Sequence, residues 1–153
     1  MLGACGHPDN RLPVVDPARG ARTARAVAAC IAHGAVRSAH DPSEGGLLPA
    51  IAEMCFAGGL GASIDLSHVP VDAAAHAEVS DECRAFAEDP HRYILEVDVV
   101  HLPKVQAHLD GIAHAVIGTV TNSTTLEVVG IRTPHESMTI DTLRAAWNAP
   151  TGG

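Results

Sequence analysis

The sequence predicts a mixed α/β (α+β) domain, with helices covering a largely antiparallel sheet of four to five strands. Three observations carry that prediction. Apolar residues at helical spacing alternate along the chain with short runs of β-forming residues. The 153 residues suit one domain, and 46% are apolar but only 3% aromatic, so Ala, Val, Leu and Ile must fill the core. Near the end, two β-prone runs flank Asn122-Ser123, which reads as the turn of a hairpin.

Residues 1–11 hold Gly, Pro, Asp and Asn and read as a flexible lead-in to a domain over 12–149. Asp16-Pro17 then starts a helix, with Asp as N-cap and Pro at the first position. Ala24, Val27, Ala28 and Ile31 form its expected buried stripe, and Gly34 its stop. Arg19, Arg22 and Arg25 make a basic row, either a solvated face or a contact for a partner domain.

Val36 to Asp41 reads as a strand, followed by a tight loop and a helix over about 46–57. That helix carries Leu47, Leu48, Ile51, Met54, Cys55 and Phe56 on nearly all sides, with Glu53 its one charge, so it is expected to be buried or to lie at an interface. Gly58-Gly59 ends it, and Gly61 to Leu66 is the next strand. Residues 67–91 read as irregular with short helical pieces. Arg92 to Asp98 alternates as a strand, and Leu102 to Asp110 is a helix. Ala113–Thr121 and Thr125–Ile131 form the predicted hairpin. Asp141 caps a last helix, in which Leu143 and Trp147 pair at i, i+4. Residues 150–153 read as a tail.

Charge and cysteine usage exclude several functions. A net charge of −8 argues against binding nucleic acid or an anionic membrane. No apolar run approaches the roughly 18 residues of a membrane span, and the first residues do not resemble a signal peptide. Cys5, Cys30, Cys55 and Cys83 form no C-x-x-C pair and read as reduced thiols of a cytoplasmic protein. The ten histidines are scattered, so a dedicated zinc site is not expected.

The segment with chemical content is His40-Asp41-Pro42-Ser43-Glu44-Gly45-Gly46-Leu47. A strand ends, two glycines follow and a helix begins. Helix-start amides lack internal partners, and glycine leaves room for an oxyanion to approach them. The helix dipole adds partial positive charge, which gives a phosphate site of a general kind. Asp41 and Glu44 would repel phosphate unless a cation intervenes, so Asp41 is a candidate Mg²⁺ ligand. The plainer reading is that Asp41 or Ser43 caps the helix and His40 orders the turn.

The same loop, followed by Ala52-Glu53-Met54, by Phe56-Ala57-Gly58-Gly59-Leu60-Gly61-Ala62 and by Ile64-Asp65-Leu66, resembles the C-terminal domain of the synthetase subunit of phosphoribosylformylglycinamidine synthase. The family pattern there is His-Asp-x-Ser-x-Gly-Gly-Leu, then Ala-Glu-Met, then Ala-Gly-Gly-Leu-Gly-Ala. Weaker matches follow in order: Leu12 to Asp16, Phe86 to Arg92, and Ile117 to Val120. Ala87 and Asp89 stand where the family has serines.

The resemblance implies a three-layer α/β/α domain with partial ferredoxin-like topology. It also implies a reaction in purine biosynthesis, in which formylglycinamide ribonucleotide, ATP and ammonia from glutamine give formylglycinamidine ribonucleotide. Within that frame His40, Asp41, Ser43, Gly45 and Gly46 are expected to face substrate or nucleotide phosphate. Glu88 and Arg92 are weaker candidates, Arg92 reading first as a structural ion pair at a strand start.

ATP and Mg²⁺ are expected through an ATP-binding N-terminal-type synthetase domain, which has no counterpart in this sequence, and not to be held tightly by this chain alone. A glutaminase subunit or domain and a small ribonucleotide complete the expected partners, with self-association through the apolar helix 46–57. Activity of this chain by itself is not expected. Two other readings stay open: a hydrogenase-maturation carbamoyl dehydratase-like domain, whose loop also carries the proline of Pro42, and a non-catalytic interaction module that kept the fold.

Overall fold

The computed structural model describes residues 15–71, 79–130, 132 and 134–149. The lead-in over 1–11 and the tail over 150–153 lie outside the described residues. The mixed α/β class is the one observed, with five α-helices and six strands among the described residues.

Helix α1 (Pro17–Ala32) begins as the sequence requires: Asp16 Oδ1 accepts from Ala18 N at 2.9 Å and Arg19 N at 3.1 Å. Its buried face is Gly20, Thr23, Val27 and Cys30, not the predicted Ala24, Val27, Ala28 and Ile31. Both sets have helical spacing and share Val27. Ala and Cys differ too little in hydropathy for the pattern to choose between them. Burial of Cys30, against Ala35, Val105 and Leu109, decides the rotation, and Ile31 is left half exposed.

Strand β1 (Val36–His40) pairs antiparallel with β3 (Ile94–Val97) in a sheet of two strands. The single sheet expected from the sequence is thus divided. The larger sheet has the order β4-β2-β5-β6, with β2 (Gly61–Asp65), β4 (Gly118–Thr121), β5 (Thr125–Val129) and β6 (Glu136–Thr139). Here β2 is antiparallel to β4 and parallel to β5, and β5 is antiparallel to β6.

This order overturns the predicted hairpin. β4 and β5 follow each other in sequence, but β2 lies between them. The connection crosses the start of β2 at Gly61, whose N–H donates to Ser123 O at 2.8 Å. A Cβ on Gly61 would collide with the Thr125 carbonyl and the Ser123 hydroxyl, so only glycine fits beneath the arch.

Helix α2 (Leu47–Gly58) buries Leu47, Ala50, Ile51, Ala52 and Cys55, as its all-round apolar surface predicts. It packs against α3 (Asp81–Phe86) and α5 (Ile140–Trp147), while α1 packs against α4 (Leu102–His108). The main core joins Leu47, Ile51 and Cys55 to Ala62, Ile64, Leu126 and Val128 of the four-stranded sheet. The N-cap of α5 is Thr139 and not Asp141, because the helix starts two residues earlier and the Thr139 hydroxyl accepts from Thr142 N at 3.1 Å. Among the described residues, no helix is long and apolar enough to cross a membrane.

Candidate functional site

β1 delivers His40 to the mouth of the loop that leads into α2. Its Nε2–H donates to Glu53 Oε2 at 2.7 Å, one helix turn and a half into α2. A carboxylate only accepts, so the proton must sit on Nε2 and Nδ1 is turned towards Asp41. The Nδ1–Asp41 Oδ1 separation of 3.6 Å is too long for a hydrogen bond. Asp41 itself is solvent-exposed, with 72% of its side chain accessible. Among the described residues no group of three or more His, Cys, Asp or Glu could hold a metal ion.

The glycines occupy backbone conformations closed to other residues. Gly45 has φ 84° and Gly46 φ 85°, ψ −153°. Their amides are not left uncovered, contrary to what the sequence leads one to expect, but are both paired. The Gly46 N–H donates to Ser43 O at 3.2 Å, and the Gly45 N–H donates to Glu88 Oε1 at 2.9 Å. A Cβ on Gly46 would lie 2.6 Å from the Phe86 carbonyl carbon. Gly46 is thus packed backbone to backbone against the end of α3. The Glu88 carboxylate, from a segment distant in sequence, thus occupies the hydrogen-bonding position beside Gly45.

Glu88 is therefore brought to the loop, whereas Arg92 is engaged elsewhere. Its Nη2 donates to Asp89 Oδ2 at 2.8 Å, the structural ion pair that the sequence allowed. Its Nη1 is buried without a partner, as is His91 Nε2. His91 has φ 66° and its ring sits against Gly20, which ties the 86–92 segment to α1.

Sequence reasoning passed over the residues on the inner side of His40. Ser38 Oγ donates to Glu96 Oε2 at 2.8 Å across the β1–β3 pair. Burial pushes the Cys55 thiol up from its ordinary value, and the negative charge of Glu96 adds to the effect. Ser38, His40, Glu53, Phe56, Glu96 and Trp147 line an open cleft of about 410 Å³. Its aromatic wall is Phe56 against Trp147, with ring centroids 6.1 Å apart at 44°. A single carboxylate in an apolar helix, Glu53, was the available signal.

The family described as AIR synthase related protein, C-terminal domain, matches residues 4–131. The chain belongs to that family. This AIR synthase-related domain is 35% identical over 149 residues to phosphoribosylformylglycinamidine synthase subunit PurL of Rhodopseudomonas palustris strain BisA53, covering 96% of the chain and 19% of that protein. It thus spans about a fifth of the length of such relatives. In fold, the domain superposes on Thermotoga maritima PurL complexed with FGAR with a TM-score of 0.75 at 20% identity, over 92% of this chain and 23% of that one. Escherichia coli HypE, a hydrogenase maturation protein, gives a TM-score of 0.56 at 19% identity, over 76% of this chain and 38% of that one. Both likenesses concern the fold alone.

Proposed function

We propose that this domain is the C-terminal, phosphate-facing part of a phosphoribosylformylglycinamidine synthase, which forms an amidine from formylglycinamide ribonucleotide, ATP and glutamine-derived ammonia. The observation that supports this most is the identity with PurL across nearly the whole chain, with the His40–Leu47 loop inside it. The hydrogenase-maturation reading has support only from Pro42 in the loop and from a weaker fold likeness.

In this reading residues 12–149 are the working unit. His40, Asp41, Ser43, Gly45 and Gly46 face the phosphate of the ribonucleotide or nucleotide, and Glu88 is the anion that phosphate replaces. Arg92 serves the loop indirectly, by holding the 86–92 segment through Asp89. An ATP-binding synthetase domain and a glutaminase act together with this domain. Asp41 would hold Mg²⁺, which would supply positive charge to offset the repulsion between that carboxylate and phosphate. The chain's own contribution is positioning, through a loop whose backbone only glycine can adopt.

Calorimetry with formylglycinamide ribonucleotide tests the proposal. Binding that inorganic phosphate competes away, and that strengthens with the ATP-binding partner, is expected. The chain alone should form no amidine when given substrate, ATP, Mg²⁺ and ammonium. Turnover by the chain alone overturns the division of labour. An absence of binding with or without the partner leaves an interaction module.

A further inference from the structure

We propose that the cleft between the β1–β3 pair, α2 and α5 binds a small planar organic cation, an amidinium or guanidinium group. The proposal stands apart from the phosphate reading of the loop, with which it shares only His40.

Two carboxylates line the cleft, Glu53 from α2 and Glu96 from β3. Each has one oxygen occupied, Glu53 Oε2 by His40 and Glu96 Oε2 by Ser38, at 2.7 and 2.8 Å. Among the described residues neither second oxygen has a hydrogen-bond donor. Among the described residues no lysine or arginine lines the cleft. Arg144, the cation of α5, instead donates to the Phe56 carbonyl at 2.6 Å and lies 3.9 Å from Asp141. The cleft thus presents free carboxylate oxygens, with His40 the one basic side chain on its described lining.

The remaining wall decides the class of cation. Phe56 and Trp147 offer aromatic surface, which attracts cations over its face and stacks flat groups. A metal ion would ask for a third converging donor, and the described residues contain no such set. An amidinium or guanidinium meets both demands, with N–H donors in one plane for the two carboxylates and a flat face for the rings. A volume of about 410 Å³ admits such a group with a short substituent.

Trp147 is the sole tryptophan of the chain, so its fluorescence reports on the cleft directly. The full chain is titrated with n-butylguanidinium and, separately, with n-butylurea, which has nearly the same shape and no charge. A saturable change in Trp147 emission is expected with the guanidinium, at an affinity roughly tenfold or more above that for the urea. Glu96→Gln keeps an acceptor for Ser38 and should weaken guanidinium binding by roughly tenfold, with circular dichroism confirming the fold. Equal affinity for the two compounds, an unchanged affinity in Glu96→Gln, or no saturable change at concentrations below denaturation each overturns the proposal. The comparison of the two compounds needs no variant and stands even if Glu96→Gln misfolds.

Discussion

Glu88 Oε1 accepts the Gly45 N–H at 2.9 Å and so joins the loop before α2 to the segment after α3. The two residues are 43 apart in sequence. Beside them, Gly46 rests on the Phe86 backbone. The loop is therefore held by one hydrogen bond to a carboxylate and by one steric contact.

Removing the Glu88 carboxylate separates these two roles. Glu88→Ala is expected to cost about 0.5–1.5 kcal/mol of stability in urea unfolding. If the loop receives phosphate, the same variant should bind inorganic phosphate more tightly in calorimetry, because the competing anion is gone. Lost stability with unchanged phosphate affinity would mark Glu88 as a structural tie only.

The glycines should separate by what surrounds them. Gly34 has φ 65° with open space around it, so Gly34→Ala is expected to cost about 1 kcal/mol. Gly46 combines a backbone region closed to other residues with the Phe86 contact, so Gly46→Ala is expected to cost roughly 3 kcal/mol or more. Similar denaturation midpoints for the two variants would contradict this account of the loop.

Leu126 is fully buried at the centre of the main core. Leu126→Ala should destabilise by about 2–5 kcal/mol, through lost burial and an unfilled cavity. Leu60, which is 39% exposed, should tolerate Ala to within about 0.5 kcal/mol. Paired urea titrations at constant m-value check the contrast.

Acid should loosen the start of α1. The Arg19 N–H, with a smaller contribution from Ala18, holds the Asp16 carboxyl below its ordinary 3.8. The Arg37 guanidinium does the same for Asp98. A depressed folded-state value adds stability that is present above the unfolded value and lost as pH falls through the folded one. Asp16→Asn keeps a capping oxygen but does not titrate, so its stability should fall less steeply below pH 3.8 than that of the native chain. Parallel acid-unfolding curves would refute the assignment.

Local signals were legible in the sequence where the determinants were local. Asp16-Pro17 fixed the start of α1, and the apolar surface of α2 announced its burial. The glycine pair before α2 was visible as a backbone exception, but its neighbours were not. The Glu88–Gly45 bond and the Phe86 contact join segments far apart in sequence, and no periodicity encodes them. Likewise β6 went unseen, because Glu136-Ser137-Met138-Thr139 is an edge strand with an exposed, mostly polar pattern. Glu53 stood out as the lone charge of α2, whereas Ser38 and Glu96 acquire meaning only through the β1–β3 register.

The placement of β2 between β4 and β5 has a kinetic consequence. Two strands joined by three residues cannot zip together as a local unit, since the partner that both require was made some fifty residues earlier. The central sheet must wait for distant segments to meet, and the loop entropy of that meeting comes before any reward from pairing. Assembly of this domain is therefore expected to be limited by the threading of Gly61 beneath Ser123, and not by the formation of any helix.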